Sequence, residues 1–198
     1  MVNDIVNLVK FRLPNTYDIK PTDIQVLTPM KKGLLGTVNL NEVLQKELNP
    51  HGEEVKYGTV TFRVNDKVMQ VKNNYDKEVF NGDSGFIKSV NKEEKTVMVV
   101  FKKQVVIYDF SELDELMLAY AVTVHKSQGS EYPIVVMPIT RGHYVMLKRN
   151  LIYTGITRAK NLCIMLGQKQ SLYLGINTVD TTKRNTYLCT LLNENGNI

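Results

Sequence analysis

The fold is decided by the stretch AYAVTVHKSQGSE, residues 119–131, where an apolar run passes directly into a polar, glycine-containing turn. The run from Ala121 to Val124 predicts a buried strand, because parallel strands that are covered on both faces are continuously apolar. The polar groups would then lie at the carboxyl end of that strand, where open α/β sheets bind ligands. Such hydroxyl, imidazole, ammonium and amide groups suit phosphate oxygens, and Gly129 permits a close approach of the backbone. The alternative is a solvated loop that caps a helix, which we favour for His125 taken alone, because a lone histidine is rarely a ligand.

Other apolar runs predict the remaining strands and the helices around this sheet. The predicted strands are Ile24 to Leu27, Ile134 to Met137 and Leu162 to Leu166. An apolar stripe at helical spacing predicts a helix through Leu40 to Leu48. A first helix is predicted near Ile5 and would end at Pro14. Residues 143 to 160 and 183 to 193 can also be helical.

Residues 55 to 112 have a different sequence pattern, in which short β-rich runs alternate with polar turns. The runs are Thr59 to Val64, Lys67 to Val71, Phe86 to Val90, Thr96 to Phe101 and Val105 to Tyr108. Five short strands with tight connections suggest a small antiparallel barrel. We therefore predict a discontinuous α/β domain, residues 1–54 and 113–198, that is interrupted once by an all-β module at residues 55–112.

The composition fits an intracellular protein with one sizeable core. The chain has 198 residues, of which 43% are hydrophobic, and its formal charge of +5 comes from 25 basic and 20 acidic residues. This excess is compatible with a polyanionic partner but identifies none. Cys163 and Cys189 lie far apart without C-x-x-C spacing, so we expect reduced thiols and no bound metal. No segment approaches the roughly 20 apolar residues of a membrane span, and no signal peptide is recognisable, so we expect a cytoplasmic protein without a membrane partner.

A second motif, YTGITRAK at residues 153–160, places Arg158 among small side chains. A planar guanidinium that is not shielded by bulky neighbours can neutralise charge on a transferring γ-phosphoryl group. An arginine finger contributes about 10³–10⁵ in rate where it operates. Lys160 would share the helix end but offers only a point charge. The alternative is a solvated arginine on a helix surface, which is the commoner situation for an isolated arginine.

Two aromatic residues in the β module are candidates for base stacking. Tyr75 and Phe80 lie close to Lys72 and Lys77 in the sequence. Stacking on an aromatic side chain contributes about 1–3 kcal/mol per base. The alternative is that Phe80 packs in the barrel core, which we favour for that residue, and that Tyr75 supports a turn.

Four segments, taken in order, resemble the C-terminal part of RecD-like superfamily 1 DNA helicases, the exodeoxyribonuclease V alpha subunit family. They are QVLTPMKKG at 25–33 with LN at 40–41 and LQ at 44–45, NYDKEVFNGD at 74–83, the motif ending at 131, and the motif at 153–160. The likeness extends from about residue 5 to about residue 192. It implies a RecA-like, P-loop NTPase-type second motor domain with a mainly parallel sheet, interrupted by a small barrel of the Src homology 3 type. It also implies ATP-dependent movement on DNA, 5′ to 3′, in recombination or repair.

The resemblance assigns roles to individual residues. Arg158 would be the arginine finger. The residues that would face the nucleotide are Gln128, Gly129 and Glu131, with Glu131 toward the ribose. The residues that would lie near single-stranded DNA are Thr123, His125 and Lys126. The inserted barrel would lie over the same strand, where Tyr75 is the candidate contact.

The chain lacks the sequence elements that hold phosphates and metal in such a motor. It contains no G-x-x-x-x-G-K-[ST] motif, since Gly33 to Thr37 has neither the lysine nor the spacing. The family keeps these elements, which bind ATP and Mg²⁺, in an N-terminal RecA-like domain. We therefore expect that domain and single-stranded DNA as partners, with nuclease subunits as further candidates. Alone, the chain would hold no tightly bound nucleotide and would neither hydrolyse ATP nor unwind DNA.

Two other functions are open at this point. One is a non-catalytic, single-stranded nucleic-acid-binding module derived from a helicase. The other is a purely structural α/β domain that carries the barrel as an addition. The first predicts salt-dependent binding to single strands, as the motor does, and the second predicts none.

Overall fold

The computed structural model describes residues 1–102 and 104–179. Its strands are β1 (Ile24–Thr28), β2 (Glu54–Tyr57), β3 (Val60–Arg63), β4 (Lys67–Gln70), β5 (Ser84–Asn91), β6 (Thr96–Phe101), β7 (Val105–Asp109), β8 (Leu116–Leu118), β9 (Ala121–Thr123), β10 (Tyr132–Ile139) and β11 (Ala159–Gly167). Its α-helices are α1 (Val2–Asn7), α2 (Leu13–Tyr17), α3 (Thr37–Leu48), α4 (Arg149–Ile156) and α5 (Lys169–Asn177). The helix predicted over residues 183 to 193 lies outside the described residues, as does Cys189.

The predicted parallel sheet is confirmed, with the strand order β11-β10-β1-β9. All three pairings are parallel; in β1, Ile24 is opposite Ile134 of β10 and Val26 is opposite Ala121 of β9. Every residue of β1 and β9 is buried. Continuous burial of this kind explains why these strands are mainly apolar without alternation, and the buried Gln25 side chain donates to the carbonyl oxygens of Ala119 and Tyr120, each at 3.1 Å.

Helices cover the two faces of the parallel sheet. On one face, Ile24 and Val26 pack in a core cluster with α1 and α3 residues, including Ile5, Leu40 and Leu44. On the other face, residues of β9 and β10 pack with Leu147, Leu151 and Ile152. Strand β11 lies at the sheet edge and is mostly half-buried or exposed, so the predicted cover on both faces does not extend to it. The prediction of helix over 143 to 160 is correct only for α4, because Ala159 and Lys160 already belong to β11.

The β module contains two strands that the sequence did not predict, and both extend its limits. Five antiparallel strands form a sheet in the order β7-β6-β5-β4-β8, and β2 pairs with β3 in a separate hairpin. Strand β8 pairs with β4, although Leu116–Leu118 lies beyond the predicted range of 55–112. Strand β2 begins at Glu54. Strand pairing therefore places the module at about residues 54–118, and the division of the chain into folding units stays a prediction.

The N-terminal helix does not end at Pro14, contrary to the sequence prediction. Helix α1 passes through a π-helical turn, Leu8–Arg12, into α2, which holds Pro14 in its first turn. The helix ends instead at Asp18, which adopts the left-handed conformation. Proline within a continuous helix removes one backbone hydrogen bond, and the π turn directly ahead of Pro14 is the local irregularity that accommodates it.

Candidate nucleotide and nucleic-acid interface

The polar segment after β9 begins with a short capped helix. The Thr123 hydroxyl accepts a hydrogen bond from the Lys126 backbone N–H at 3.3 Å, which caps the 3-10 helix Val124–Ser127. The Thr123 side chain is buried, whereas His125 is exposed and Lys126 is half-buried. Of these three candidate DNA contacts, His125 and Lys126 can therefore reach a ligand directly, and Thr123 acts here on the local backbone.

The second half of the segment crosses the sheet instead of staying at its carboxyl edge. Thr123 is opposite Thr28 at the carboxyl end of β1, whereas β10 begins two residues before Ile134, the partner of Ile24 at the opposite end. Residues 124–131 must therefore run from one edge of the sheet to the other. The prediction that the whole motif lies at the carboxyl edge is wrong for Ser130 and Glu131, which contact Arg158 and Lys160 beside the starts of β10 and β11, because a parallel sheet forces the chain back to the amino edge before the next strand.

The crossing segment is open to solvent around its glycine. Gly129 has φ +82°, and a side chain added there would meet nothing within 4 Å. Gln128, Gly129 and Glu131 are exposed. The left-handed backbone favours glycine, and the space above it would allow a ligand to approach the main chain.

Arg158 lies against this segment. The residue follows α4 in a turn rather than lying within the helix. Its Nη1 donates to the Ser130 carbonyl oxygen at 3.1 Å, its Nε to the Thr154 carbonyl oxygen at 3.3 Å, and its Nη2 to the Thr157 hydroxyl at 3.3 Å. The backbone adds a further link, because Tyr132 N–H donates to the Arg158 carbonyl oxygen at 2.8 Å. These acceptors are neutral, so they hold the half-buried guanidinium in place without forming an ion pair with it.

An ion pair completes the amino edge of this face. Lys160 Nζ lies 3.2 Å from Glu131 Oε2, and both side chains are more than half exposed. The prediction that Lys160 shares a helix end with Arg158 is wrong, because Lys160 is the second residue of β11, beside the start of β10. An open cleft of about 510 Å³ joins both residues to the β module, where Asp83 and Gln104 form part of its opposite wall.

The β module touches the motif segment through the turn after Val79. Lys126 Nζ donates to Asn81 Oδ1 at 3.2 Å. Burial lowers the pKa of Lys126, and the nearby charge of Lys31 lowers it further. Two lysines and the turn of the module therefore lie close together at the carboxyl edge. Neither Asn81 nor Lys31 was assigned a role from the sequence, although both lie within segments that carry the helicase resemblance.

The aromatic residues on either side of Val79, Tyr75 and Phe80, are both exposed, so the expectation that Phe80 packs in the barrel core is wrong. Tyr75 is 74% exposed and Phe80 is 46% exposed. Their ring centroids are 5.9 Å apart at an interplanar angle of 75°, an edge-to-face contact. The core position belongs instead to Val79, which is 1% exposed. Alternation along the bridge between Asn74 and Val79 places one side chain inside and the next outside.

The lysines beside the aromatic pair are neutralised. Lys72 pairs with Asp114, and Lys77 pairs with Glu112 while its ammonium lies 4.7 Å from the Tyr108 ring centroid. Both ion pairs lie within the β module. Lys126, nearer the motif segment, donates instead to the neutral amide oxygen of Asn81.

The described residues contain no group of three or more His, Cys, Asp or Glu side chains that could hold a metal ion. Within the same part of the chain, no helix is both long and apolar enough to cross a bilayer. Cys163 is a free thiol whose pKa is raised by burial.

Comparison with protein families identifies both parts of the chain. Residues 40–101 match the family described as the ATP-dependent RecD-like DNA helicase SH3 domain. Residues 118–166 match the UvrD-like helicase C-terminal domain. The two matches fall on the β module with the helix before it, and on the strands that carry the two motifs.

Individual relatives agree with these families. The chain is 43% identical over 141 residues to the ATP-dependent RecD2 DNA helicase of Deinococcus radiodurans, a match that covers 71% of this chain and 19% of the relative. It is 27% identical over 171 residues to the RecBCD enzyme subunit RecD of Haemophilus influenzae, covering 86% of this chain and 25% of the relative. The chain thus spans about a fifth to a quarter of the length of these relatives.

Solved structures support the fold. The Pif1 helicase from Bacteroides in complex with ADP-AlF3 and ssDNA matches with a TM-score of 0.59 at 13% identity, over 97% of this chain and 49% of that chain. The Pif1 helicase from Candida albicans matches with a TM-score of 0.51 at 15% identity, over 86% of this chain and 54% of that one. The predicted fold class, an α/β motor domain with an inserted Src homology 3 barrel, is confirmed. By sequence, this chain is a relative of the RecD-like superfamily 1 DNA helicases and corresponds to their C-terminal part.

Proposed function

We propose that this chain is the second motor domain, with its inserted barrel, of an ATP-dependent DNA helicase that acts in recombination or repair. The observation that best supports this is the contact between the two motifs. Arg158 Nη1 donates to the carbonyl oxygen of Ser130, 28 residues away in the sequence, at 3.1 Å. A cation is thereby fixed beside the exposed, glycine-containing turn where a phosphate-bearing ligand can approach.

The residues of this face divide the work at the nucleotide. Arg158 would stabilise negative charge that develops on the transferred phosphoryl group, since a preorganised guanidinium is most effective where charge builds up in the transition state. Gly129 would leave room for the backbone to approach the ligand, and Gln128 would offer its amide. Glu131 would accept a hydrogen bond from a ribose hydroxyl. ATP supplies the phosphoryl group, and we assign Mg²⁺ and the phosphate-binding loop to an N-terminal RecA-like domain of the same protein.

The opposite edge of the sheet would carry part of the DNA track. Lys126 and His125 would meet the phosphate backbone, and Thr123 would hold their short helix in place. Tyr75, which is 74% exposed, would stack a base from the barrel side. The 5′ to 3′ polarity and the involvement of nuclease subunits are expectations that come from the family resemblance alone.

Replacing Arg158 by alanine in the complete helicase tests the proposal. We expect the ATPase rate to fall by about 10³-fold or more, with single-stranded DNA affinity changed by less than about threefold. Arg149→Ala is the matched control, because Arg149 lies at the other end of α4 and its Nε also donates to a carbonyl oxygen, that of Ile176, at 2.7 Å. Arg149→Ala should keep the ATPase rate. Equal loss of ATPase and DNA binding in Arg158→Ala would instead place Arg158 on the DNA track or in the fold.

A stand-alone single-stranded nucleic-acid-binding module is the second candidate function. The exposed aromatic pair and Lys126 favour it equally, because neither needs ATP. The binding module differs from the motor in one respect, because binding to single strands does not require an arginine positioned beside a nucleotide, as Arg158 would be. A gene that encodes a phosphate-loop motif upstream of Met1 supports the motor, and ATP turnover that is absent even in the complete protein supports the module.

A further inference from the structure

Helix α3 and its C-cap present three amide side chains to the β module and to β9, the strand that follows the module. Asn41, Gln45 and Asn49 are spaced four residues apart and therefore lie on one face of the helix. Asn41 Nδ2 donates to the Ala121 carbonyl oxygen, and Ala121 N–H donates back to Asn41 Oδ1, each at 2.8 Å. Gln45 Nε2 donates to the Thr61 carbonyl oxygen at 2.8 Å. The helix thus binds the backbone where the chain returns from the module and also within the module itself.

Asp66 lies at the centre of this contact. It belongs to the turn between β3 and β4, and its side chain is fully buried, with 0% exposure. Its carboxylate accepts four hydrogen bonds: from Gln45 Nε2 at 2.5 Å, Asn49 Nδ2 at 2.7 Å, Arg63 N–H at 2.7 Å and the Tyr120 hydroxyl at 2.9 Å. Three of the four donors belong to the α/β domain or its connection to the module. The carboxylate therefore joins two parts of the fold.

Only a carboxylate satisfies this arrangement. Every partner of Asp66 is a donor, so the central group must accept at both of its oxygens. An asparagine would offer one acceptor oxygen and would turn an NH₂ group toward further donors. A buried donor that loses its acceptor is costly, because the water that would replace it is excluded.

The neighbouring residue makes a second connection between the same two parts. Lys67 Nζ donates to the Thr22 carbonyl oxygen at 2.9 Å and lies 5.6 Å from the centroid of the Tyr132 ring. Thr22 precedes β1, and Tyr132 begins β10. Thr22 and Tyr132 lie at the amino ends of the neighbouring strands β1 and β10, so Lys67 adds a second attachment of the module close to that of Asp66.

We propose that Asp66 is a positioning residue that locks the β module onto the α/β domain in one orientation, so that the Tyr75–Phe80 turn and Lys126 form one continuous surface for single-stranded DNA. Domains joined by small contacts usually move relative to each other, and a buried network of this kind removes that freedom. The surface needs a fixed orientation because it includes the 3.2 Å contact from Lys126 Nζ to Asn81 Oδ1, which spans the two parts. The role of this surface in DNA binding rests on the proposed function, whereas the fixed orientation of the β module does not.

Asp66→Asn in the 198-residue chain tests the lock by two separate measurements. The first is the distance distribution between spin labels on Lys88→Cys in β5 and Lys169→Cys in α5, in a background carrying Cys163→Ser and Cys189→Ser. The second is the affinity for a fluorescent thymidine oligonucleotide at low salt. With Asp66 in place, we expect a narrow distribution of distances between the two spin labels, and in Asp66→Asn we expect that distribution to broaden. We also expect affinity to fall by about tenfold, while the helical circular dichroism signal is kept.

Tyr108→Phe is the matched control. Tyr108 is a buried tyrosine whose hydroxyl donates to Gln70 Oε1 at 2.8 Å, so the bond resembles that of Tyr120 but lies wholly inside the module. It should leave both the distance distribution and the affinity unchanged. If Asp66→Asn does not fold, Gln45→Ala is measured in its place, because it removes one donor and leaves the carboxylate.

The outcomes separate the lock from the proposed function. An unchanged, narrow distance distribution in both Asp66→Asn and Gln45→Ala overturns the lock, whatever happens to DNA binding. A broadened distribution with full affinity overturns the link between orientation and the DNA surface. If the unsubstituted chain itself shows no affinity for single strands, the proposed DNA-binding role fails, and the distance measurement alone then decides the positioning role of Asp66.

Discussion

Replacing Lys67 by methionine should change how the stability of the protein depends on pH. Lys67 is a buried lysine whose ammonium donates to one backbone carbonyl oxygen, that of Thr22. Burial lowers its pKa from 10.5 to about 8, and the charge of Asp23 opposes this shift only in part. The fall corresponds to a destabilisation of roughly 3 kcal/mol when the amine is charged in the folded protein.

The sign of the effect follows from proton binding. Between about pH 8 and about pH 10.5 the unfolded chain holds a proton on Lys67 that the folded protein has lost, so the free energy of unfolding rises with pH in this window. Below about pH 8 the destabilisation is fully present. Relative to Lys67→Met, the unsubstituted protein should therefore gain about 2 kcal/mol between about pH 7 and about pH 9.5.

Urea unfolding measures this difference directly. Circular dichroism is the suitable signal, because the chain contains no tryptophan. Both proteins are unfolded at several pH values from about 7 to about 9.5, and the difference in their free energies of unfolding is plotted against pH. Lys88→Met, which changes an exposed lysine of β5, controls for the general effect of removing a positive charge. Parallel pH curves for the unsubstituted protein and Lys67→Met would refute the reasoning, since Lys67 would then titrate alike in both states.

Two further predictions concern side-chain direction and backbone geometry. Val79→Ala should lower the free energy of unfolding by about 2 kcal/mol, because Val79 is 1% exposed. Phe80→Ala should change the free energy of unfolding by less than about 0.5 kcal/mol and should weaken single-strand binding about tenfold or more. Equal stability losses of the two variants in urea unfolding would contradict the assigned side-chain directions. Gly167→Ala should cost at least about 3 kcal/mol in the same measurement, because Gly167 has φ +154° and an added Cβ would lie 1.7 Å from the Ile139 carbonyl oxygen. Gly58→Ala, at φ +57° with nothing within 4 Å, should cost only about 1 kcal/mol, and a similar loss in both variants would argue against the clash.

The strands of the parallel sheet were predictable because their signal is local. A strand that is buried on both faces is apolar at most positions, and the sequences of β1, β9 and β10 show this pattern. Helix α3 was equally clear from its apolar stripe. Strand β8 was missed because three residues carry no periodicity, and only its pairing with β4 makes it a strand.

The geometry of the candidate site was not predictable from the sequence. The prediction that Arg158 and the segment around Gly129 carry the chemistry stays a prediction, and the sequence placed the whole segment at one edge of the sheet. The order of the strands decides otherwise, since β9 and β10 are parallel and separated by β1. The direction of Phe80 was missed for a related reason, because a one-residue change of register exchanges the inside and outside faces of a strand.

The sequence by itself determined most of the strands and the helix α3, the motifs that the chain carries, and the helicase family to which it is related. Tertiary structure alone decided that Arg158 meets Ser130, that Lys126 meets Asn81, and that Asp66 receives four donors. Local patterns report whether a side chain is buried, because burial selects for polarity at each position separately. They do not report which distant group it meets, because that depends on strand order and on how the β module is fixed to the α/β domain.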